Sequence, residues 1–228
     1  ADIPRAAALI AAVSRQLDAE LSRQRRGGGH SGKLDFKRTI RKGLETGGSF
    51  YRLSYRHKRR RKRRLALLCD VSGSMLQFSE FALRFIKSMS ELSEASQTFL
   101  FSEEVRPVDA FALQNMDAFR EYVRSSGLYG RGTDLGSALE DLCRRRPAPL
   151  GPSTTLLILS DTTTIDLPRA AQAVLEAKRQ AGKVLWLNPI PERKWAYVKS
   201  IQTMASLCQM APCSTLDELA RACGRMLK

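Results

Sequence analysis

Five oxygen-bearing side chains fall in three short stretches of this sequence: Asp70, Ser72 and Ser74 in "CDVSGSM", Thr133 in "RGTDLG", and Asp161 in "LSDTTTID". Two are carboxylates and three are hydroxyls, with no histidine among them. Hard divalent cations, Mg2+ above all, select such an all-oxygen set and keep some water in an octahedral shell. Each part alone is ordinary. An aspartate at a strand end commonly caps a turn or helix, and "SGS" is a frequent loop sequence. The chemistry resides in the combination and in what brings it together.

The flanking residues supply that scaffold. "RLALLCD" (64–70) and "TTLLILSD" (154–161) are continuous apolar runs that deliver an aspartate at their ends, as strands buried on both faces do. "QTFLFS" (97–102) and "KVLWLNP" (183–189) read as further strands, and "VRPVDAF" as a short one. Helical spacing appears over 76–95, 114–124, "TDLGSALEDLCRRR" and "DLPRAAQAVLEAKRQAG". In the last, Pro168 sits in the first turn and Gly182 just past the end. "STLDELARACGRML" reads as a final helix opened by a Ser214-x-x-Asp217 capping box. Apolar runs alternating with amphipathic helices predict an α/β, Rossmann-like fold: a mostly parallel central sheet with helices on both faces. Sites in such folds form outside the carboxyl ends of the strands. All three oxygen-bearing loops belong to that edge. Asp134 and Asp166 sit where helix caps are needed.

Composition divides the chain. Residues 1–64 hold 19 Lys and Arg against 5 acids, and residues 65–228 hold 19 against 18, so nearly all of the net charge of +15 lies in the N-terminal part. That part (1–63) reads as a basic helical extension: a helix over 3–22, a Gly-rich link and the run "KRRRKRR". Residues 64–228 form the α/β domain. The run, including Arg59, Arg60 and Arg61, invites an acidic or polyanionic partner. Five cysteines without a CxxC pair indicate reduced, partly buried thiols and a cytoplasmic setting. The two histidines, His30 and His57, lie far from any cysteine cluster, which argues against zinc. No apolar run reaches the length of a membrane span.

"DVSGS" resembles the Asp-x-Ser-x-Ser motif of von Willebrand factor A (VWA) domains, with Thr133 and Asp161 at the spacing of the other two elements of their metal-ion-dependent adhesion site. The resemblance covers about 64–228. More narrowly the chain is similar to CoxE-like VWA proteins, through the basic run abutting the first strand, "DFKRTIRKGLETGG", "RGTDLGSAL" and "VLWLNP". The resemblance implies that Ser72 and Ser74 bind Mg2+ directly (Mn2+ or Ca2+ as substitutes), Thr133 when a ligand is present, and Asp70 and Asp161 largely through water. A first shell rich in neutral hydroxyls leaves the cation able to take a partner's Asp or Glu. It further implies a non-enzymatic adaptor for a MoxR-type AAA+ ATPase, with a client such as carbon monoxide dehydrogenase. The chain has no GxxxxGK[ST] loop of its own. Arg131 beside the site and Trp195 in "PERKWAY" are candidate partner contacts. A nucleic-acid-binding role for the Arg-rich arm is the alternative, and the arm interleaves few aromatics. A metal-dependent hydrolase is disfavoured, since no general base beyond Asp70 and Asp161 stands near the motif.

One departure from the family pattern is visible. Ser-Asp-Gly is usual after the fourth strand, and here Thr162 takes the glycine's place, where positive φ would be costly. A loop of changed shape would bring Thr163 or Asp166 toward the metal instead.

Overall fold

The computed structural model describes residues 33–34, 55–56, 64–78, 96–109, 111–128, 130–215, 218–219 and 221–222. The helix expected over 3–22, the run with Arg59, Arg60 and Arg61, residues 79–95 of the expected second helix, and Cys223 lie outside the described residues. Two units are present. In one, β1 (Lys33–Leu34) pairs antiparallel with β2 (Tyr55–Arg56). The other carries the six-stranded sheet.

That sheet is built on β3 (Arg64–Asp70), β4 (Ser96–Phe101), β5 (Val105–Pro107), β6 (Thr154–Leu159), β7 (Lys183–Asn188) and β8 (Gln209–Pro212), in the order β5-β4-β3-β6-β7-β8. All neighbours run parallel except β4 and β5. Pro107 sits on the edge strand β5, where a missing N–H costs no ladder bond. The expected helices appear as α1 (Met116–Ser125), α2 (Leu135–Arg144) and α3 (Leu167–Gln180). Three further elements were not foreseen: a 3-10 turn (Glu192–Tyr197), α4 (Lys199–Leu207) and β8. The start of the second expected helix, Gly73–Phe78, is 3-10 rather than α.

Strand alternation divides the core into two layers. Leu65, Leu67, Cys69, Leu157, Leu159, Leu185 and Leu187 face one cluster with Phe119 and Val123 of α1 and with Leu219 and Ala222. Ala66, Leu68, Leu156, Ile158, Val184 and Trp186 face the other, with the apolar sides of α2 and α3 and with Met204 of α4. Leu68, Leu100, Leu156 and Ile158 are wholly buried, and each such side chain contributes roughly 1.5–3 kcal/mol of transfer free energy. The central strands are thus fixed from both faces. Their ends are held rigidly enough to position a site.

The caps explain where the helices begin. Asp134 Oδ1 accepts the Ser137 N–H at 2.9 Å, and Asp166 Oδ1 accepts the Arg169 N–H at 2.9 Å. Both aspartates are caps, as their positions predict. Asp217 of the expected Ser214-x-x-Asp217 box lies outside the described residues, and the hydroxyl that caps is that of Thr215. Thr215 Oγ1 accepts the Glu218 N–H at 3.2 Å while the Glu218 carboxylate reaches back to the Ser214 N–H at 2.9 Å. Gly182 does follow α3, though not in a left-handed conformation. A methyl there would run into the Pro152 carbonyl, so close backbone approach demands glycine.

Candidate functional site

β3 and β6 are neighbours in register, Cys69 opposite Leu159, so Asp70 and Ser160 emerge side by side. Ser160 Oγ donates to Asp70 Oδ2 at 2.7 Å, and the Ser72 N–H donates to Asp70 Oδ1 at 2.9 Å. Backbone bonds tie the surrounding loops. Gly73 N–H donates to Arg131 O at 2.9 Å and Gly130 N–H to Val71 O at 3.2 Å. The Thr133 loop is tied in turn to the loop after β6: Ile165 N–H donates to Thr133 O at 3.0 Å, and Leu135 N–H to Thr164 Oγ1 at 3.2 Å. Three loops therefore close into one ring: 71–73 to 130–131, 133–135 to 164–165, and Asp70 to Ser160. The positive φ of Gly130 (77°) serves the tight turn that lets 130–131 meet 71–73.

Within this ring the Ser72 and Ser74 hydroxyls lie 3.3 Å apart. Ser74 is exposed while Asp70, Ser72, Thr133 and Asp161 are buried. The Thr133 hydroxyl has no hydrogen-bond partner among the described residues. Asp161 Oδ1 accepts the Thr163 N–H at 2.8 Å.

Among the described residues the site has no counter-charge. Burial pushes the Asp70 carboxyl up to about 6, against the pull of hydrogen bonds from Ser72 and Ser160, and the nearby Asp161 charge raises it further. No lysine, arginine or histidine pairs with Asp70 among the described residues. No group of three His, Cys, Asp or Glu side chains gathers there either, so hydroxyls would have to furnish most donors to a bound ion. Two carboxylates without a cationic partner, beside hydroxyls 3.3 Å apart, fit a hard divalent cation.

At the departure from the family pattern, Thr162 itself adopts a positive φ. Thr162 takes φ 70°, the left-handed conformation that glycine would adopt freely. Its N–H donates to Ser160 Oγ at 3.1 Å, and its hydroxyl pairs with Ser200 Oγ at 2.9 Å. Asp166 is exposed and occupied in capping α3, and the exposed Thr163 gives its N–H to Asp161.

Arg131 is exposed and lies 3.8 Å from Glu103. Trp195 is half-buried and donates its indole N–H to Ile190 O at 2.8 Å. Sequence reasoning did not single out Ser160, Thr164 or Ser200 for the site. A serine preceding Asp161 was visible, but nothing in the sequence ties residue 200 to residue 162. The buried thiols take no part: burial pushes Cys143 and Cys208 up to about 11. No helix among the described residues is long and apolar enough to cross a membrane.

The family profile of VWA domain containing CoxE-like proteins matches residues 6–222. This chain belongs to that family. Among solved structures, this CoxE-like chain is similar to an aerotolerance-related membrane protein from Bacteroides fragilis, at 16% identity and a TM-score of 0.50, covering 72% of this chain and 98% of that one. It is also similar to a von Willebrand factor type A protein from Catenulispora acidiphila, at 16% identity and a TM-score of 0.47, covering 77% of this chain and 43% of the other. At such identities the likeness concerns the fold. No curated protein matches the CoxE-like chain by sequence.

Proposed function

We propose that this CoxE-like chain is a metal-dependent, non-enzymatic protein-binding adaptor. One observation carries the reading. A buried aspartate with no cationic partner among the described residues stands in a ring of three mutually bonded loops that also holds the 3.3 Å pair of serine hydroxyls. Ser72, Ser74 and Thr133 would hold Mg2+ through their hydroxyls, and Asp70 and Asp161 largely through water. When bound, the cation would supply an under-neutralised positive charge that a partner's carboxylate can satisfy. The protein's own part is to hold the donors. Ser160 and the Ser72 N–H orient Asp70, the Thr163 N–H orients Asp161, and the loop ties limit how far the site can spread.

The family suggests the partners: a MoxR-type AAA+ ATPase as the source of ATP-driven work, and a client enzyme, such as carbon monoxide dehydrogenase, that is matured or remodelled in the cytoplasm. In this reading the α/β domain (64–228) carries the lock and the basic extension (1–63) a second contact through Arg59, Arg60 and Arg61. The test is affinity capture of a purified MoxR-type ATPase on the full chain. Retention in Mg2+, lost both in EDTA and in Asp70→Ala, is the expected result. Equal retention by both proteins in EDTA would end the metal-lock reading.

A further inference from the structure

A basic ridge rises beside the candidate site. β7 ends level with β6, since Leu159 pairs with Leu187, so the chain leaving Asn188 starts on the same sheet edge as Asp161. The segment then folds down on itself. Ile190 N–H donates to Asn188 Oδ1 at 2.8 Å, and the Trp195 indole is drawn to Ile190 O. With Trp195 turned inward, the 3-10 turn presents Arg193, Lys194 and Tyr197 to solvent, Tyr197 being 88% exposed. Lys199 is exposed as well, and its neighbour Ser200 bonds Thr162 at 2.9 Å, one residue from Asp161. The ridge is therefore anchored to the site loop itself.

Its charges are unmatched among the described residues. Elsewhere on this domain many arginines have an acid partner: Arg106 with Glu104, Arg120 with Asp117, Arg144 and Arg169 with Glu140, Arg145 with Asp141, Arg179 with Glu176, while Arg146 bonds only backbone carbonyls. Arg193, Lys194 and Lys199 have no ion pair among the described residues, and Glu192 is the one acid between 190 and 200. A cluster of free cations with an exposed aromatic, on a domain close to neutral overall, sets a local positive field at this edge.

We infer that this ridge docks an acidic protein segment, a stretch of clustered Asp and Glu. Its further carboxylates pair with Arg193, Lys194 and Lys199 while Tyr197 packs on its backbone or an apolar residue. The inference deepens the adaptor reading and rests on it only for where the first carboxylate goes. A protein segment is favoured over nucleic acid for two reasons. Tyr197 is the one fully exposed aromatic of the ridge, Trp195 being half-buried, whereas single-stranded binding relies on several stacked bases. The same edge also exposes Ile165 (76%), which phosphates cannot use.

The test is amide hydrogen exchange on the full chain with acetylated hexaglutamate at near-physiological salt, in Mg2+ and in EDTA. Protection across 190–200 is expected. Affinity should fall roughly fivefold in R193E/K194E/K199E and recover in the charge-preserving R193K/K194R/K199R. If the triple reversal fails to fold, Lys194→Glu alone should weaken binding in the same direction. Protection absent from 190–200, unchanged by charge reversal, or displaced by oligothymidylate would overturn the inference. Protection at 190–200 that survives EDTA and Ser72→Ala supports the ridge even where the metal lock fails. Mg2+-dependent protection confined to 71–75 and 130–133 keeps the lock and removes the ridge.

Discussion

The hydroxyls of Thr162 and Ser200 lie 2.9 Å apart across 38 residues of sequence, joining the loop after β6 to the first turn of α4. Thr162 is wholly buried and holds φ 70°, a conformation that costs a β-branched residue on the order of 1–3 kcal/mol. The hydroxyl pair and the N–H bond to Ser160 offset that cost. They keep the loop in the form a glycine would give it.

Ser200→Ala should therefore destabilise the protein by about 1 kcal/mol, the net worth of a hydrogen bond. Thr162→Ala should cost more, because the strain stays while the bond goes. Thr162→Gly, which loses the bond and the strain together, should fall near wild type. Urea denaturation of the three variants checks the order. Thr162→Gly coming out least stable would show the threonine conformation to be unstrained.

Asp70 gives a pH signature. Its folded value, raised to about 6 from 3.8, means the folded protein keeps a proton that the unfolded chain has released. In EDTA, stability should thus fall as pH rises from about 4 through 6, by on the order of 2–3 kcal/mol from this group. Asp70→Asn preserves the shape without the charge. The difference between wild-type and Asp70→Asn stabilities should slope across that window and flatten above it, as measured by denaturation at a series of pH values.

Mg2+ should raise the melting temperature of the wild-type protein, since a ligand at a hundredfold over its Kd adds about 2.7 kcal/mol. Ser72→Ala removes one of the paired hydroxyls and should abolish most of that shift. Differential scanning calorimetry with and without EDTA measures both. A shift that survives Ser72→Ala would place the cation elsewhere.

Gly182→Ala should lose about 2–3 kcal/mol, because the added methyl meets the Pro152 carbonyl rather than a movable side chain. The clash lies at the opposite end of β6 and β7 from the site. The Mg2+-dependent thermal shift should therefore be retained in this variant, a separation that calorimetry can read.

Much of this architecture is written locally. β3 and β6 announce themselves because both faces are covered, leaving uninterrupted apolar runs that end on Asp70 and Ser160. α2 is equally plain: Leu135, Ala138, Leu139 and Leu142 are all buried on one stripe. The segment after Asn188 is opaque for physical reasons. α4 buries only Ile201 and Met204, and β8 is a four-residue edge strand whose side chains are at best half-buried, so neither leaves a periodic trace. The final cap shows a similar ambiguity, since Ser214 and Thr215 offer adjacent hydroxyls, and it is Thr215 that accepts the Glu218 N–H while the Glu218 carboxylate takes the Ser214 N–H. For the candidate site, the donor residues are legible as types and spacings. The contacts that orient them, Ser160 on Asp70 and Ser200 on Thr162, depend on strand adjacency and on a crossover helix that no local pattern encodes.

The chain has two tryptophans. Trp186 is fully buried with its indole N–H on Ser160 O at 2.9 Å, and Trp195 lies within the 3-10 turn beyond β7 with its indole N–H on Ile190 O. Both indoles hang on carbonyls at the single sheet edge where the three loops meet. Intrinsic fluorescence of the unlabelled protein is consequently a local gauge of that edge: occupancy or loosening there changes the emission, while fraying at the far end of the sheet passes unseen.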